Sequence, residues 1–169
     1  MRFDTSSPLT AADIINSYSL EDLICIFQNY GEERHARKIA QEIIRERRKV
    51  RFTRTTQLAD FIAGIIWPRR GQIHPATRVF QALRIAANRE IEVLSEALPA
   101  ALSILSAKGR LVVISYHSLE DRIVKNFFRT EKQKGTLNIL TKKPVTPEPE
   151  AIEAHRRARS AKLRAAEKI

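Results

Sequence analysis

Glycine and cysteine are scarce in this sequence, and each shortage excludes a class of site. Five glycines occur among 169 residues, and no two of them have the Gly-x-Gly spacing of a nucleotide-binding loop. The single cysteine, Cys25, cannot form an internal disulfide, and the apolar run LICIF around it predicts a core position. The four histidines lack metal-ligand spacing, so we expect no metal site; they are His35, His74, His117 and His155.

Long apolar runs are also missing. No stretch approaches the roughly 20 apolar residues of a membrane-spanning helix, and the N-terminus lacks the charged-then-apolar layout of a signal peptide. With 43% hydrophobic residues, the chain can still bury a core of one domain with a small appendage. We therefore expect a protein of the cytoplasm.

Acidic residues are outnumbered, which favours a polyanionic partner. Thirty Lys and Arg stand against 19 Asp and Glu, for a net charge of +11 and a pI near 10.3. Nucleic acid is the commonest partner for such a charge, although a solvated basic face is the alternative. Candidate phosphate contacts lie in two basic stretches: Arg45, Arg47, Arg48, Lys49, Arg51, Arg54, Arg69 and Arg70. On a later helix, Arg78 and Arg84 could contact RNA or pack between domains.

The first half of the chain is predicted to be helical. SLEDLICIFQNYG has a capping pattern at Ser19 and a terminating Gly31. EERHARKIAQEIIRERRKV and TTQLADFIAGIIW also have helical periodicity, and HPATRVFQALRIAANREIEVL is expected to be one longer helix. Pro99 is expected to mark a fresh helix start.

The hydrophobic periodicity then changes from helical to strand-like. RLVVISY is predicted to be a strand buried on both faces, as in the middle of a parallel sheet. SLEDRIVKNFFR returns to helix, TLNILTKKPV is a candidate strand, and TPEPEAIEAHRRAR is a short helix. The composition of SAKLRAAEKI favours helix over strand. This order is typical of half a doubly wound α/β sheet. Such a piece would leave apolar strand faces and an edge uncovered, which predicts that the chain is part of a larger fold.

The junction between strand and helix, in LVVISYHSLEDRIVKNFF at 111–128, carries the residues best suited to chemistry. A structural interpretation makes Ser118 the N-cap and Asp121 its capping-box partner. That interpretation leaves Tyr116 and His117 unexplained, and they follow a strand at the sheet edge where α/β proteins bind ligands. A Ser-His-acid hydrolase is disfavoured because the sequence has no Gly-x-Ser-x-Gly turn.

Several long segments carry a resemblance to a known family. HPATRVFQALRIAANREIEVL, GRLVVISYHSLEDRIVKNFFR and RARSAKLRAAEK resemble segments of the bacterial 16S rRNA (cytosine-N4)-methyltransferases, the RsmH/MraW family. YGEERHARKIAQEII resembles the helical segment inserted in that family's catalytic domain, and MRFD resembles the segment just before it. The match follows the family's order along the whole chain.

The resemblance implies an α/β fold. The chain would be the C-terminal part of a class I (Rossmann-like) methyltransferase, helix-rich overall, with an inserted all-helical domain. The implied divisions are a lead-in segment at 1–8, the inserted helical domain at 9–73, and the end of the sheet domain at 74–169. SAKLRAAEK would then be a strand in a hairpin with LNIL. The family's S-adenosylmethionine-binding motifs have no match here, so no cofactor-binding residue is expected in this chain.

The resemblance also implies a reaction and a site. The family methylates a cytosine amine in the decoding region of 16S rRNA, in the small ribosomal subunit, with S-adenosylmethionine as donor. The junction would line the target-base side of the pocket, where His117 or Asp121 accepts or orients the amine. Tyr116 and the His117 ring could stack on the base, and Ser115 completes the junction. The alternative is a packing role for His117 and a capping role for Asp121.

Three functions stay open from the sequence. The chain is a methyltransferase portion that is inactive alone, a stand-alone RNA-binding module without catalysis, or a nonfunctional remnant. Titration with S-adenosylmethionine would separate the first two of these possibilities.

Overall fold

The computed structural model describes residues 1–4, 6, 8–66 and 74–169. This part of the chain forms helices and a small antiparallel sheet, which agrees with a mixed α/β class. It divides into two compact units, Met1–Glu90 and Ile91–Ile169. None of the described helices combines the length and hydropathy of a membrane-spanning segment. Arg69 and Arg70, proposed above as phosphate contacts, lie outside the described residues.

The described residues of the N-terminal unit form five helices around one apolar core. Its fully buried side chains include Phe27, Ile39, Ile62 and Leu83. The capping box predicted at Ser19 is confirmed, because its hydroxyl accepts from the Asp22 amide. The helices are α1 Ala11–Ser17, α2 Leu20–Asn29, α3 Ala36–Arg47, α4 Thr55–Ile65 and α5 Ala76–Asn88.

Gly31 lies where α2 ends and the chain meets α5. A Cβ atom at this position would stand 2.6 Å from the Arg78 carbonyl oxygen and 2.8 Å from that of Phe27. Both neighbours are backbone atoms, which cannot swing away as a flexible side chain can. Glycine is therefore required here by the close approach of α2 and α5.

Three expectations about the helical part of the chain were wrong: two on helix bounds and one on the burial of Cys25. The predicted long helix is split at Arg89, which has a left-handed backbone with φ 50° and caps the end of α5. The next helix, α6 Glu90–Ile104, runs through Pro99 without a fresh start. Cys25 is exposed rather than in the core, because it lies on the outer face of α2 between buried neighbours Ile24 and Ile26.

The C-terminal unit contains the sheet. Its strands are β1 Arg110–Ser115, β2 Leu137–Ile139 and β3 Lys162–Lys168, in the order β1-β3-β2. Helix α7 Ser118–Gln133 follows β1, and α8 Pro149–Ala154 and a 3-10 helix, Arg156–Ser160, precede β3. The strand expected at SAKLRAAEK from the family resemblance is confirmed, as is its antiparallel pairing with LNIL. The helix favoured by composition was wrong, because cross-strand pairing outweighs local propensity.

Strand β1 is covered on one face. Leu111 and Val113 pack on a core with Val124 and Phe128 of α7 and Leu98 of α6. On the opposite face, Val112 is 53% and Ile114 54% exposed. The expectation of burial on both faces in a parallel sheet was wrong for this chain, since β1 pairs antiparallel with β3. The expectation of an uncovered apolar strand face is confirmed.

The divisions at 8/9 and 73/74 stay predictions. In the structure, Ala76, Val79 and Leu83 of α5 belong to the core of the N-terminal unit.

Candidate functional site

The junction between β1 and α7 is tied down by backbone and side-chain hydrogen bonds. Ser115 is 3% exposed, and its hydroxyl donates to the Lys162 carbonyl of β3 at 3.3 Å. The predicted N-cap was one residue off, because His117 rather than Ser118 caps α7. Its capping-box partner is Glu120 rather than Asp121. The sequence suggested serine because hydroxyls are the commoner caps, whereas an imidazole nitrogen accepts here.

His117 and Glu120 hold each other and the backbone around them. The Glu120 amide donates to His117 Nδ1 at 3.3 Å. One Glu120 carboxylate oxygen, Oε2, accepts from the backbone amides of Tyr116 at 2.8 Å and His117 at 3.2 Å. His117 Nε2 lies 3.3 Å from the other oxygen, and the imidazole side chain is 9% exposed. In this arrangement Nδ1 is the acceptor of the capping hydrogen bond.

Tyr116 differs from its neighbours in exposure. It is 57% exposed, while its backbone amide is held by Glu120. A fixed backbone with an exposed ring is suited to stacking on a flat partner at little cost in conformational entropy.

Asp121 is bound in an ion pair within the unit. Both of its carboxylate oxygens accept from the Arg164 guanidinium, at 2.7 and 3.1 Å, and Lys162 Nζ lies 3.9 Å away. The hydrogen bond from Arg164 is the main cause that lowers the pKa of Asp121, and the charges of Arg164, Lys162 and Lys125 add to it. A carboxylate with a lowered pKa is a weak proton acceptor, so this geometry favours an orienting role.

Several of the basic residues predicted to contact phosphate already have partners in the N-terminal unit. Arg45 pairs with Glu42 at 3.0 Å and Lys49 with Glu46 at 3.3 Å. Arg47 donates to the Ile15 carbonyl oxygen at 2.9 Å.

The pKa of Arg47 is lowered, first by burial and then by the charge of Arg48. Arg47 is thus partly a structural residue. Arg48, Arg51 and Arg54 are exposed on the same stretch.

The two arginines predicted on α5 are also engaged. Arg78 donates to the Glu32 carbonyl oxygen at 3.1 Å. Arg84 holds both carboxylate oxygens of Glu90, at 2.8 and 2.9 Å. Both arginines therefore have partners within the N-terminal unit, and the two roles left open for them stay predictions.

Sequence reasoning missed a basic groove in the C-terminal unit. It encloses about 190 Å³ between α7 and the end of the β2–β3 hairpin. We call it the α7 groove, and its lining includes five cationic residues: Lys125, Arg129, Lys132, Lys142 and Arg164. The signal in the sequence is the i, i+4, i+7 spacing of the first three on the polar face of α7.

The chain matches known proteins over its whole length. A sequence model of the MraW methylase family matches residues 1–169. A ribosomal RNA small subunit methyltransferase H of Carboxydothermus hydrogenoformans is 48% identical over all of this chain and 60% of its own length. The one from Sulfurihydrogenibium sp. is 48% identical over the whole chain and 58% of its own length. The one from Coprothermobacter proteolyticus is 54% identical, over 97% of the chain and 54% of its own length.

The chain therefore spans about 60% of the length of such curated relatives. The match nevertheless covers every residue of this chain, helical unit and sheet unit alike. This chain belongs to the MraW methylase family.

Proposed function

We propose that this chain is the C-terminal part of an rRNA methyltransferase. The reaction is transfer of a methyl group from S-adenosylmethionine to the N4 amine of a cytosine in the decoding region of 16S rRNA. The partner is the small ribosomal subunit, and the compartment is the cytoplasm. The observation that carries the proposal is the match of the family over residues 1–169, with relatives named as small-subunit rRNA methyltransferases.

Two cavities of the described residues are a poor fit for S-adenosylmethionine. Ligand pockets for molecules of this size usually enclose about 300–1,000 Å³, whereas the α7 groove encloses about 190 Å³. The groove's cationic lining would also repel the positively charged sulfonium of the cofactor. A second cavity, of about 160 Å³, lies in the N-terminal unit and is lined mainly by apolar groups near Phe52 and Leu83. The cofactor would be bound by the portion of the relatives that this chain does not cover.

The junction after β1 is proposed to form the target-base side of the site. An exocyclic cytosine amine is a poor nucleophile, because its lone pair is delocalised into the ring. The protein must therefore orient the amine rather than only bind it. The exposed ring of Tyr116 is suited to stack on an extruded base. His117 and Asp121 would orient it indirectly, because both are engaged within the fold, and Ser115 anchors the junction to β3.

The exposed arginines of the N-terminal unit are proposed as secondary RNA contacts. Arg48, Arg51 and Arg54 keep their charge available to solvent. The engaged cations, Arg45, Lys49, Arg78 and Arg84, would contribute less, because each already has a partner within the unit.

A chimera tests the proposal. The matching C-terminal part of the Coprothermobacter relative is replaced by this chain, and transfer of labelled methyl groups to small-subunit rRNA is measured. We expect methylation of a cytosine amine, located by mass spectrometry of rRNA digests. Tyr116→Ala in the chimera should lower kcat/KM about 5- to 100-fold, the range expected from losing one base–aromatic stack. Tyr116→Phe keeps the ring and should retain most activity.

A folded chimera that binds rRNA without methylating it would contradict the proposal. It would support the alternative of an RNA-binding module without catalysis, for which the α7 groove is the specific observation.

A further inference from the structure

Most cations of the α7 groove form no ion pair with a carboxylate of the described residues; Arg164, which Asp121 binds, is the exception. Helix α7 carries three acidic residues beyond its cap: one of them pairs with the groove cation Arg164, and the other two are committed outside the groove. Glu120 accepts from backbone amides, and Asp121 is held by Arg164. Glu131 is buried and bonds to Lys134 at 2.7 Å and to the Thr136 hydroxyl at 2.7 Å. The positive field of the groove is therefore left largely uncompensated within this unit.

Three of the groove cations have no ion-pair partner in the part of the chain that the structure describes. They are Arg129, Lys132 and Lys142, and all three are exposed. This distinguishes them from Arg45 and Lys49 of the N-terminal unit, whose charges are balanced by i,i+3 carboxylates. Basic residues on a solvated helix face usually alternate with acids that pair with them. An unbalanced set along a concave surface indicates an anionic partner.

The base of the groove is rigid. Arg164 is 7% exposed, and Asp121 binds its Nε and Nη2 atoms. Its Nη1 atom has no hydrogen-bond partner among the described residues, although the residue lines the groove. A guanidinium that is fixed on one edge is preorganised to donate from the other, which lowers the entropy lost on binding an anion.

The shape of the groove fits a strand of nucleic acid better than a single small anion. Lys125 and Lys132 are seven residues apart, which places them about 10 Å apart along the helix axis. That length accommodates roughly two or three successive phosphates of one strand. The half-buried side chain of Ile139 also lines the groove, and it can pack against sugar or base edges.

We infer that the α7 groove binds the phosphodiester backbone of the RNA substrate. The inference rests on the proposed function, and it names a contact surface for that substrate. The groove begins about one turn of α7 beyond Asp121, which is bound to the groove's own Arg164. A strand held there would lie in the same unit as the Tyr116 junction and would limit how far a target nucleotide on that strand can move.

Salt-dependent binding of a fluorescent single-stranded decoding-region RNA to this chain tests the inference. The test variant is the triple substitution Arg129→Gln, Lys132→Gln and Lys142→Gln. The matched control removes three exposed cations of the same unit that lie outside the groove: Lys108→Gln, Lys143→Gln and Arg156→Gln. Both variants change the net charge equally. Because all six side chains are exposed, the Tm of each should stay near that of the unchanged chain.

We expect the groove variant to weaken binding about 10- to 100-fold at moderate salt. The slope of log Kd against log salt should fall by about 0.7 for each lost phosphate contact. The control variant should change Kd by less than about 3-fold. Equal losses in the two variants would overturn the inference, because net charge alone would then explain binding. An unchanged Kd in the groove variant would overturn it as well.

Two further experiments separate an RNA-binding groove from a small-anion site and from a failure of the proposed function. Inorganic phosphate at millimolar concentration should compete poorly with RNA; full competition would reduce the groove to a small-anion site and contradict the inference. In the chimera, the groove variant should raise KM for rRNA with kcat nearly unchanged. A chimera that methylates normally with the groove variant would overturn the inference but leave the proposed function standing. A chimera that contains the unchanged chain and binds RNA without methylating it would instead contradict the proposed function.

Discussion

Asp121 and Arg164 show how one ion pair decides the role of a residue. A carboxylate just inside the first turn of a helix was a candidate proton acceptor from sequence. Its bidentate contact with a nearly buried arginine 43 positions away places it in the support of the junction instead. Removal of either partner would leave a charge in a largely desolvated place.

Asp121→Asn should lower the free energy of unfolding by about 3 kcal/mol at pH 7. The folded-state pKa of Asp121 is lowered, mainly by Arg164, so the pair stabilises the fold above the unfolded-state pKa. That stabilisation is lost as pH falls through the unfolded-state value, roughly 3.9, towards the lower folded-state value. The difference between the two proteins, measured by denaturant titration from pH 7 to pH 2, should therefore shrink at acid pH. A constant difference would contradict this assignment.

His117 is expected to act by holding the junction. His117→Ala removes the N-cap of α7 and should cost about 1 kcal/mol of stability. In the chimera it should lower methyl-transfer turnover more than affinity for S-adenosylmethionine, because the junction lies on the target-base side. His117→Asn supplies another capping oxygen and should recover most of both stability and turnover. Recovery of stability without turnover would show that the imidazole contacts the substrate, against the positioning role.

Among the elements, the contact between α2 and α5 depends on one missing side chain. Helical periodicity predicted both helices, but nothing in the pattern indicated that Gly31 would meet the backbone of Arg78. Gly31 follows the C-cap Tyr30, as the sequence suggested, and the structure adds a close approach of two backbones.

Gly31→Ala should destabilise the N-terminal unit by about 1–3 kcal/mol, the usual cost of overpacking. The matched control is Gly64→Ala in α4, where a Cβ atom would meet nothing within 4 Å. Because alanine is the better helix former, that change should stabilise by about 0.5–1 kcal/mol. Thermal unfolding followed by circular dichroism compares the two, and equal effects would refute the close-approach argument.

Strand β1 illustrates what an apolar run can and cannot predict. Its Val and Ile content correctly predicted a strand, since branched residues suit a pleated surface. The run could not show which face is covered, because an apolar side chain looks the same in sequence whether a partner covers it or not. In this chain α6 and α7 cover the face of Leu111 and Val113, while Val112 and Ile114 face solvent.

Val112→Thr with Ile114→Thr should reduce self-association of the isolated chain, because exposed apolar strands at a sheet edge promote pairing between molecules. Threonine keeps the branched shape, so the strand should persist. Sedimentation velocity over a range of concentrations measures the effect. The control Val113→Thr lies on the covered face and should destabilise the unit without reducing association. Unchanged association in the double variant would argue against an uncovered interface.

For the whole molecule, the net charge of +11 indicated the class of partner but not the surface that binds it. The basic stretch at 45–54 was identified from the sequence because its cations lie close together along the chain. The α7 groove collects its cations from one face of a helix, a loop and a strand, so no local count could find it. The sequence also could not show which cations are paired with carboxylates and which are not, because that depends on the fold.

S-adenosylmethionine should show no saturable binding to this chain alone. The expectation rests on the size and lining of the two cavities described above, neither of which fits the cofactor. Isothermal titration calorimetry with millimolar cofactor tests it, and the active chimera under the same conditions is the positive control. Specific binding to the isolated chain would contradict the assignment of the cofactor site to the uncovered portion of the relatives.

The amino-acid sequence by itself was therefore enough to predict most helices, the position of β1, the basic character of the chain and its family resemblance. These properties depend on neighbours within a few turns, or on segments long enough to be recognised. The fold decided which charges are paired, why Gly31 is required and that His117 caps α7. Each of those depends on residues far apart in the chain, whose contacts arise only when the backbone brings them together.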